Sequence, residues 1–303
     1  MHRQPILQSV VIGAFLALVW NTAAPQMPAA ASGIASDVAV TQNAPAIIDP
    51  FADIAIQARS FLVSDLSSGA PQTIAGREST LQWPLASVTK LATAVIASEN
   101  IPADAEVKIT AAAVAERGDD GLLVGERFVR DDLLDLMLVR SSNDAARAFA
   151  DTLGYEKFLQ LMNDKAKALG MTQTYFLNPN GLDVGVSTSG AYSSAEDLAK
   201  LAAYILNTAP QLFSATERPE FSVRSLSGKA HGYPNTNKLV DNLPQLIGGK
   251  TGLTDIAGGN LLVIVDIGVN HPVLIIVLGS TESGRFDDVR ALYDATLKYF
   301  QNK

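Results

Sequence analysis

The spacing of apolar residues predicts mainly helices between residues 85 and 208. Three segments carry apolar side chains at intervals of three and four residues, which places those side chains on one face of a helix. The second segment ends at Gly170, and the third opens with Ser193, Ser194 and Glu196, which are residue types that favour helix ends. The three segments are VRDDLLDLML, YEKFLQLMNDKAKALGM and SSAEDLAKLAAYILN.

Predicted strands flank this helical region on both sides. ARSFLVSD and QTIAGRE, joined by LSSGAP, predict a hairpin. Four later segments predict further strands, and the last two of them are joined through residues 269–271. Strands around a helical middle predict a sheet with helices on both faces. The later strands are EFSVRS, LIGGKTG, GNLLVIVDIG and PVLIIVLGS, and the amphipathic helix FDDVRALYDATLKYF follows them.

The N-terminal segment has the pattern of a secretory signal. A basic start, Met1-His2-Arg3, precedes an apolar stretch from Val10 to Trp20, and small residues follow up to Ala31. We therefore expect residues 1–31 to be either a cleaved signal or a retained membrane anchor, with a buried helix as the alternative. Residues 32–46 are small and polar and predict a linker, which leaves residues 47–303 as a single folded domain.

Composition excludes several classes of function. The chain has 303 residues, 48% of them hydrophobic and 18% charged, as in an ordinary globular protein. A net charge of −8 argues against binding to nucleic acid or to anionic lipid. There is no cysteine, so a thiol nucleophile and a thiolate metal site are excluded. We expect no metal and no cofactor.

The three histidines make a Ser-His-Asp hydrolase or a zinc peptidase improbable. They are His2 in the predicted signal, His231 in a predicted loop and His271 at a predicted hairpin tip. The chain also lacks the motifs G-x-S-x-G and H-E-x-x-H. A serine activated by a lysine is the remaining candidate for nucleophilic chemistry.

Ser87 and Lys90 form an S-x-x-K motif at the start of a predicted helix. Residues three apart on a helix share one face, so the hydroxyl and the amine would be neighbours. Ser87 would stand near a helix N-terminus, where free N–H groups favour an oxyanion. Apolar Leu85, Val88 and Leu91 should desolvate Lys90 and lower its pKa towards that of a base. The motif alone occurs about once in 300 residues by chance.

Two further motifs occur later in the chain. S-x-N occurs as Ser98-Glu99-Asn100, which we assign to a helix end, and as Ser141-Ser142-Asn143, which we assign to a short interhelical loop at the edge of a cleft. Lys250-Thr251-Gly252 lies in a strand with an unusual number of glycines. The order S-x-x-K, S-x-N, K-T-G is a known triplet of penicillin-binding proteins and β-lactamases.

The chain resembles the serine D-alanyl-D-alanine carboxypeptidases, the low-molecular-mass penicillin-binding proteins. The resemblance runs from about Phe51 to the C-terminus and implies an α/β (α+β) fold of the β-lactamase/transpeptidase-like type, in which an antiparallel sheet is flanked by helices with a helical insert. It rests on the blocks PLASVTKLATA, RSSNDAA, LGMTQTYFLNPNGLD, YSSAEDLAKLA, NTNKLV and GGKTGLTDIAGGNL.

The resemblance implies a role in acylation for four residues. Ser87 would attack the carbonyl between the two terminal D-alanines of a peptidoglycan stem peptide, and Lys90 would take its proton. Ser141 would relay a proton to the leaving amine. Asn143 would hold Lys90 and the substrate amide.

The resemblance also implies how substrate is bound, with β-lactams as inhibitors. Lys250 and Thr251 would bind the terminal carboxylate of the substrate, and Gly252 would let the peptide backbone approach. The amides of Ser87 and Leu253 would form the oxyanion hole. Many relatives carry a polar or aromatic residue at the position of Leu253, but only the amide of that residue is needed.

Three other functions remain open. A class A β-lactamase needs a glutamate that activates the deacylating water, and the nearest candidate, Glu156, lies in a predicted helix where we expect it to face solvent. A transpeptidase would replace the water by an amine, and a sensor would acylate without turnover. Some relatives continue past the catalytic domain into a C-terminal membrane-binding helix, whereas this sequence stops after LKYFQNK. We therefore expect membrane attachment here only through the N-terminal segment.

Overall fold

A computed structural model describes residues 49–118 and 121–302. The predicted signal or anchor (residues 1–31) and the predicted linker (residues 32–46) lie outside the described residues. Within the described part of the chain, no helix is both long and apolar enough to cross a membrane.

The described residues form twelve strands and eight α-helices. The strands are β1 (Ser60–Asp65), β2 (Gln72–Arg77), β3 (Trp83–Pro84), β4 (Glu106–Lys108), β5 (Arg127–Val129), β6 (Tyr175–Phe176), β7 (Ala191–Ser193), β8 (Glu220–Arg224), β9 (Ala230–Pro234), β10 (Leu246–Thr254), β11 (Gly258–Asp266) and β12 (Pro272–Ser280). The helices are α1 (Lys90–Asn100), α2 (Ala111–Val114), α3 (Arg130–Arg140), α4 (Asn143–Leu153), α5 (Tyr155–Ala168), α6 (Ala195–Thr208), α7 (Gln211–Ser214) and α8 (Gly284–Gln301).

The main sheet has five strands in the order β10-β11-β12-β1-β2, and all of its pairs are antiparallel. Strands β11 and β12 form near-continuous apolar runs because both faces of the sheet are covered. Alternate residues enter two separate cores: Leu262 and Ile264 pack towards the helical region, whereas Val263 and Val265 pack with α8. The predicted antiparallel sheet with helices on both faces is therefore confirmed.

Helix α1 lies deep in the helical region, and every residue from Lys90 to Ala97 is buried. A helix that is apolar almost all round must be surrounded by other elements, and α1 contacts α3, α4, α5 and α6. It follows directly on a 3-10 turn, Ala86–Thr89. Ser87, the first residue of the S-x-x-K motif, thus directly precedes a helix that is buried over its first eight residues.

The helix ends follow the predicted cap residues closely. The Ser194 side chain accepts a hydrogen bond from the amide of Asp197 at the start of α6, at 3.1 Å. Helix α5 ends at Ala168, and Gly170 after it has a φ of +67°, a value that glycine adopts without strain.

The structure corrects the prediction for His231, which lies in strand β9 and not in a loop. Strand β9 pairs with β8, a partner that the sequence pattern did not reveal. The His231 ring is buried, and its Nε2 lies 3.0 Å from Oε1 of the buried Glu126. The alternation of small and polar residues in AHGYP hides the strand, because only His231 and Tyr233 pack inward.

Candidate active site

Ser87 lies half-buried in the 3-10 turn that leads into α1. The turn is held from the main sheet, because the side-chain amide of Asn260 on β11 donates to the carbonyl oxygens of Pro84 (2.9 Å) and Leu85 (3.0 Å). Ala86 before the serine has a φ of +48°, which is strained for a residue with a side chain. Strain of this kind at a fixed turn is typical of an active-site residue that must be presented in one direction.

The Lys90 amine is fully buried directly behind Ser87. Three described oxygen atoms lie within hydrogen-bonding distance of its Nζ: Ser87 Oγ at 2.8 Å, Asn143 Oδ1 at 2.7 Å and the carbonyl oxygen of Asn180 at 2.9 Å. Of these three, only the serine hydroxyl has a proton to give. A neutral amine that donates to the other two oxygens therefore directs its lone pair at Ser87, as a general base requires.

Asn143 is oriented by a second hydrogen bond. Its Nδ2 donates to the carbonyl oxygen of Arg117 at 2.6 Å, which assigns Oδ1 to the side of Lys90. Ser141, at the end of α3, has a left-handed φ of +66°, and Ser142 caps α4 through a 3.1 Å bond from the amide of Ala145. The second S-x-N motif is thus an interhelical junction, as predicted, with Asn143 as the first residue of α4. The other S-x-N motif, residues 98–100, is the last turn of α1, also as predicted.

Asn180 is a site residue that the motif analysis missed. Its side-chain amide donates to Glu116 Oε2 at 2.9 Å, and Glu116 in turn pairs with Arg147 at 3.0 Å. Gly181 follows at φ +79°, where a Cβ atom would lie 1.9 Å from the carbonyl oxygen of Ala86. The N-P-N-G stretch of the resemblance blocks is the sequence signal that marks this loop, but its contact with a lysine about 90 residues earlier is visible only in the fold.

Strand β10, at one edge of the main sheet, places Lys250 and Thr251 beside the S-x-N motif. Lys250 is buried, and its Nζ lies 2.8 Å from Ser141 Oγ and 3.0 Å from the carbonyl oxygen of Thr251. Burial lowers the pKa of Lys250 well below its ordinary value, and the charges of Lys90 and Arg285 lower it further. The structure therefore joins the three motifs, because Lys250 bonds Ser141 while Asn143 of the same S-x-N motif bonds Lys90.

The glycines of β10 have a structural reason in addition to the predicted approach of a substrate backbone. A Cβ atom on Gly252 would lie 2.7 Å from the carbonyl oxygen of Leu85, and one on Gly249 would lie 2.6 Å from that of Leu262. Backbone therefore approaches backbone within the protein, so that β10 can lie against the Ser87 turn. Leu253, the next residue, has an exposed side chain (43%) at the cleft rim.

The residues of the rival mechanisms lie elsewhere. Glu156 is exposed in the first turn of α5, as predicted for a solvated helix residue. His271 follows β11 and bonds Asp65 at 2.8 Å, while His231 bonds Glu126. In the part of the chain that the structure describes, neither of these rings hydrogen-bonds a serine.

A serine–lysine pair under an S-x-N junction and a K-T-G edge strand defines a penicillin-binding serine acyltransferase. A family model described as D-alanyl-D-alanine carboxypeptidase matches residues 42–282. The chain belongs to the D-alanyl-D-alanine carboxypeptidase family.

Several proteins of known name are similar over most of the chain. The D-alanyl-D-alanine carboxypeptidase DacB2 of Mycobacterium tuberculosis is 32% identical over 78% of this chain and 81% of its own length. A D-alanyl-D-alanine endopeptidase of Pseudomonas aeruginosa is 34% identical over 72% of this chain and 70% of its own length. Penicillin-binding protein D2 of Listeria monocytogenes, in its ampicillin-bound form, superposes with a TM-score of 0.67 at 26% identity, covering 80% of this chain and 98% of that one. The predicted fold class is thereby confirmed.

Lys90→Arg tests the base geometry. A guanidinium keeps its proton at any working pH, so acylation of Ser87 should slow by at least the roughly 10²–10⁴-fold typical of losing a general base. Stopped-flow acylation with a fluorescent penicillin measures the rate. The matched change Lys165→Arg, at a lysine that bonds Glu99 on the helical surface, should leave the rate within about twofold. Acylation by the Lys90 variant at the wild-type rate would move the base role to another group.

Proposed function

We propose that this chain is a serine D-alanyl-D-alanine carboxypeptidase that removes the terminal D-alanine from peptidoglycan stem peptides through an acyl-enzyme on Ser87. The observation that carries the proposal is the Lys90 amine, which lies 2.8 Å from the Ser87 hydroxyl and also bonds two oxygens that carry no proton. The names of the similar proteins support the substrate class.

Acylation can be derived from these contacts. Ser87 Oγ attacks the carbonyl carbon between the two D-alanines while its proton passes to Lys90. The oxyanion that forms accepts hydrogen bonds from the amides of Ser87 and Leu253. The Ser141 hydroxyl accepts a hydrogen bond from Lys250, so its own proton is directed elsewhere. It donates that proton to the leaving nitrogen, and the C–N bond breaks. The proton that Lys90 took from Ser87 balances the one that Ser141 gives up, so that Ser141 is reprotonated when Lys90 returns to the neutral form.

Lys250 and Thr251 bind the terminal carboxylate of the substrate. In the empty cleft, burial holds the pKa of Lys250 low, and the positive charge of Arg285, with that of Lys90 whenever it is protonated, lowers it further. An entering carboxylate favours the charged ammonium and thus raises that pKa. The guanidinium of Arg285 adds positive potential from behind the strand, because it donates to the carbonyl oxygen of Gly252 at 2.7 Å. The cleft therefore selects peptides that end in an anion.

Deacylation by water completes the carboxypeptidase cycle. An amine in place of water would give transpeptidation. An endopeptidase activity is the second candidate, because the endopeptidase of Pseudomonas aeruginosa is as similar to this chain as the carboxypeptidase is. The two activities differ in the leaving group of the cleaved bond, which is a free D-alanine in one case and a cross-linked peptide in the other.

Incubation with a stem pentapeptide ending in D-Ala-D-Ala should release free D-alanine repeatedly, as measured by amino-acid analysis. Ser87→Ala should abolish release, because the change removes the hydroxyl that Lys90 activates. A cross-linked stem-peptide dimer, offered in parallel, measures endopeptidase activity. Cleavage of the dimer without D-alanine release would favour the endopeptidase, and an equally active Ser87 variant would contradict the proposed nucleophile.

A penicillin adduct on Ser87 should persist for minutes or longer while the peptide turns over. Penicillin leaves its ring amine tethered in the cleft, where it blocks the approach of water, whereas a released D-alanine leaves that space open. Timed intact-mass spectra after a short acylation pulse follow the adduct. Glu156→Gln serves as a control and should leave the adduct lifetime unchanged. Fast penicillin hydrolysis that depends on Glu156 would instead favour a β-lactamase.

The same proposal places the domain outside the cytoplasm. The basic start and apolar stretch of residues 1–31 support export, with attachment to the membrane only if that segment is retained. Expression of the full chain in a Gram-negative host, followed by fractionation, should recover it in the periplasm or at the outer side of the inner membrane. The mass of the recovered chain tells cleavage from retention. Recovery from the cytoplasm of a chain with residues 1–31 intact would contradict export.

A further inference from the structure

Thr236 lies between β9 and β10 and contacts a residue of the K-T-G motif. Its Oγ1 is 2.7 Å from Thr251 Oγ1. Its amide donates to the carbonyl oxygen of Val139, in the last turn of α3, at 3.2 Å. Thr236 thus connects the helix that presents Ser141 with the strand that presents Thr251.

The backbone around Thr236 is held by hydrogen bonds of its neighbour Asn235. Asn235 Nδ2 donates to the carbonyl oxygens of Thr216 (2.9 Å) and Arg218 (2.8 Å), and Asn235 Oδ1 accepts from the amide of Asn237 at 2.8 Å. Backbone on both sides of Thr236 is therefore tied down. The Thr236 side chain is therefore carried on a backbone that is held beside Thr251.

The protons on the two hydroxyls can be arranged in two ways. The Thr236 hydroxyl can donate to the carbonyl oxygen of Val139, which lies at 3.4 Å, and accept the proton of Thr251. Alternatively it donates to Thr251 Oγ1 at 2.7 Å, which frees the Thr251 proton for another acceptor. The bond to Val139 is long for an O–H donor, and that carbonyl oxygen is already occupied by the Thr236 amide. The exchange between the two arrangements therefore costs little.

We propose that Thr236 is a positioning residue that determines specificity for a carboxylate at the end of the substrate. In the empty cleft, the buried Thr251 hydroxyl donates to Thr236 and so is not left unpaired. When an anion enters, Thr251 turns its proton to the anion and accepts the proton of Thr236. Because the Thr236 hydroxyl donates to Thr251 Oγ1, it polarises the Thr251 hydroxyl and strengthens the hydrogen bond from Thr251 to the anion. This inference rests on the proposed role of Thr251 as a carboxylate ligand.

Thr236→Val tests the inference, because valine keeps the shape of threonine and removes the hydroxyl. Two peptides are compared, one ending in D-Ala-D-Ala with a free carboxylate and the other with a primary carboxamide. The kcat/KM value for the carboxylate peptide divided by that for the carboxamide peptide should fall about 3- to 10-fold in the variant. The reason is that Thr251, the proposed carboxylate ligand, loses one neutral hydrogen bond from Thr236. Thr236→Ser keeps the hydroxyl and should restore the ratio.

Thr216→Val is the matched control. The Thr216 hydroxyl also supports β10, since it accepts from the amide of Gly249 at 2.9 Å and donates to the carbonyl oxygen of Phe213 at 2.7 Å. It bonds backbone and not a cleft hydroxyl, so its loss should affect both peptides equally. Thermal unfolding of each variant shows that it is folded, and Thr236→Ala carries the same prediction if the valine variant unfolds.

The outcomes separate the two proposals. A wild-type chain that releases no D-alanine overturns the proposed function, and the present inference with it. A wild type that is active, with a ratio unchanged in Thr236→Val or unrestored in Thr236→Ser, overturns the inference alone. Equal losses for both peptides would make Thr236 a structural residue like Thr216.

Discussion

The buried amine of Lys90 is the interaction on which the site depends. An amine without water must have hydrogen-bond partners, because an unsatisfied buried polar group costs more than most single contacts contribute. Three oxygen atoms that bind it come from three different elements: the 3-10 turn, the start of α4 and the N-P-N-G loop. Satisfying one nitrogen therefore brings the nucleophile, the amide of Asn143 and the loop together. The same contacts that stabilise the fold here arrange the reaction.

The second half of the cleft depends on how closely β10 can approach. The edge strand must lie against the Ser87 turn to place Lys250 beside Ser141, and only glycine at position 252 leaves room for the carbonyl oxygen of Leu85. Glycine weakens a strand, so this close approach costs β10 some stability. The antiparallel hydrogen bonds between β10 and β11 nevertheless hold β10 in register along its length. The opposite edge of the sheet, strand β2, is mostly exposed and free of this constraint.

Electrostatics explains why such a cleft prefers an anionic ligand. Lys90, Lys250 and Arg285 are all buried, and the charges of Lys90 and Arg285 disfavour a charged Lys250. Burial and this repulsion favour a neutral Lys250 amine as long as the cleft is empty, and a bound carboxylate offsets the repulsion.

The sequence by itself determined the fold class, the order of the three motifs and the family, because periodicity and short motifs are local properties of the chain. It also separated the two S-x-N motifs, since one continues a helix and the other interrupts apolar runs.

Only the tertiary structure decided the features that depend on contacts between distant segments. Asn180 joins Lys90 through a backbone carbonyl that every residue type possesses, so no side chain marks it. Gly252 serves backbone packing, which a strand pattern cannot show. His231 belongs to a strand whose inward residues are too few to give a period. Thr236 contacts Thr251 because α3, β9 and β10 converge, and that convergence is a property of the packed core and not of any stretch of sequence.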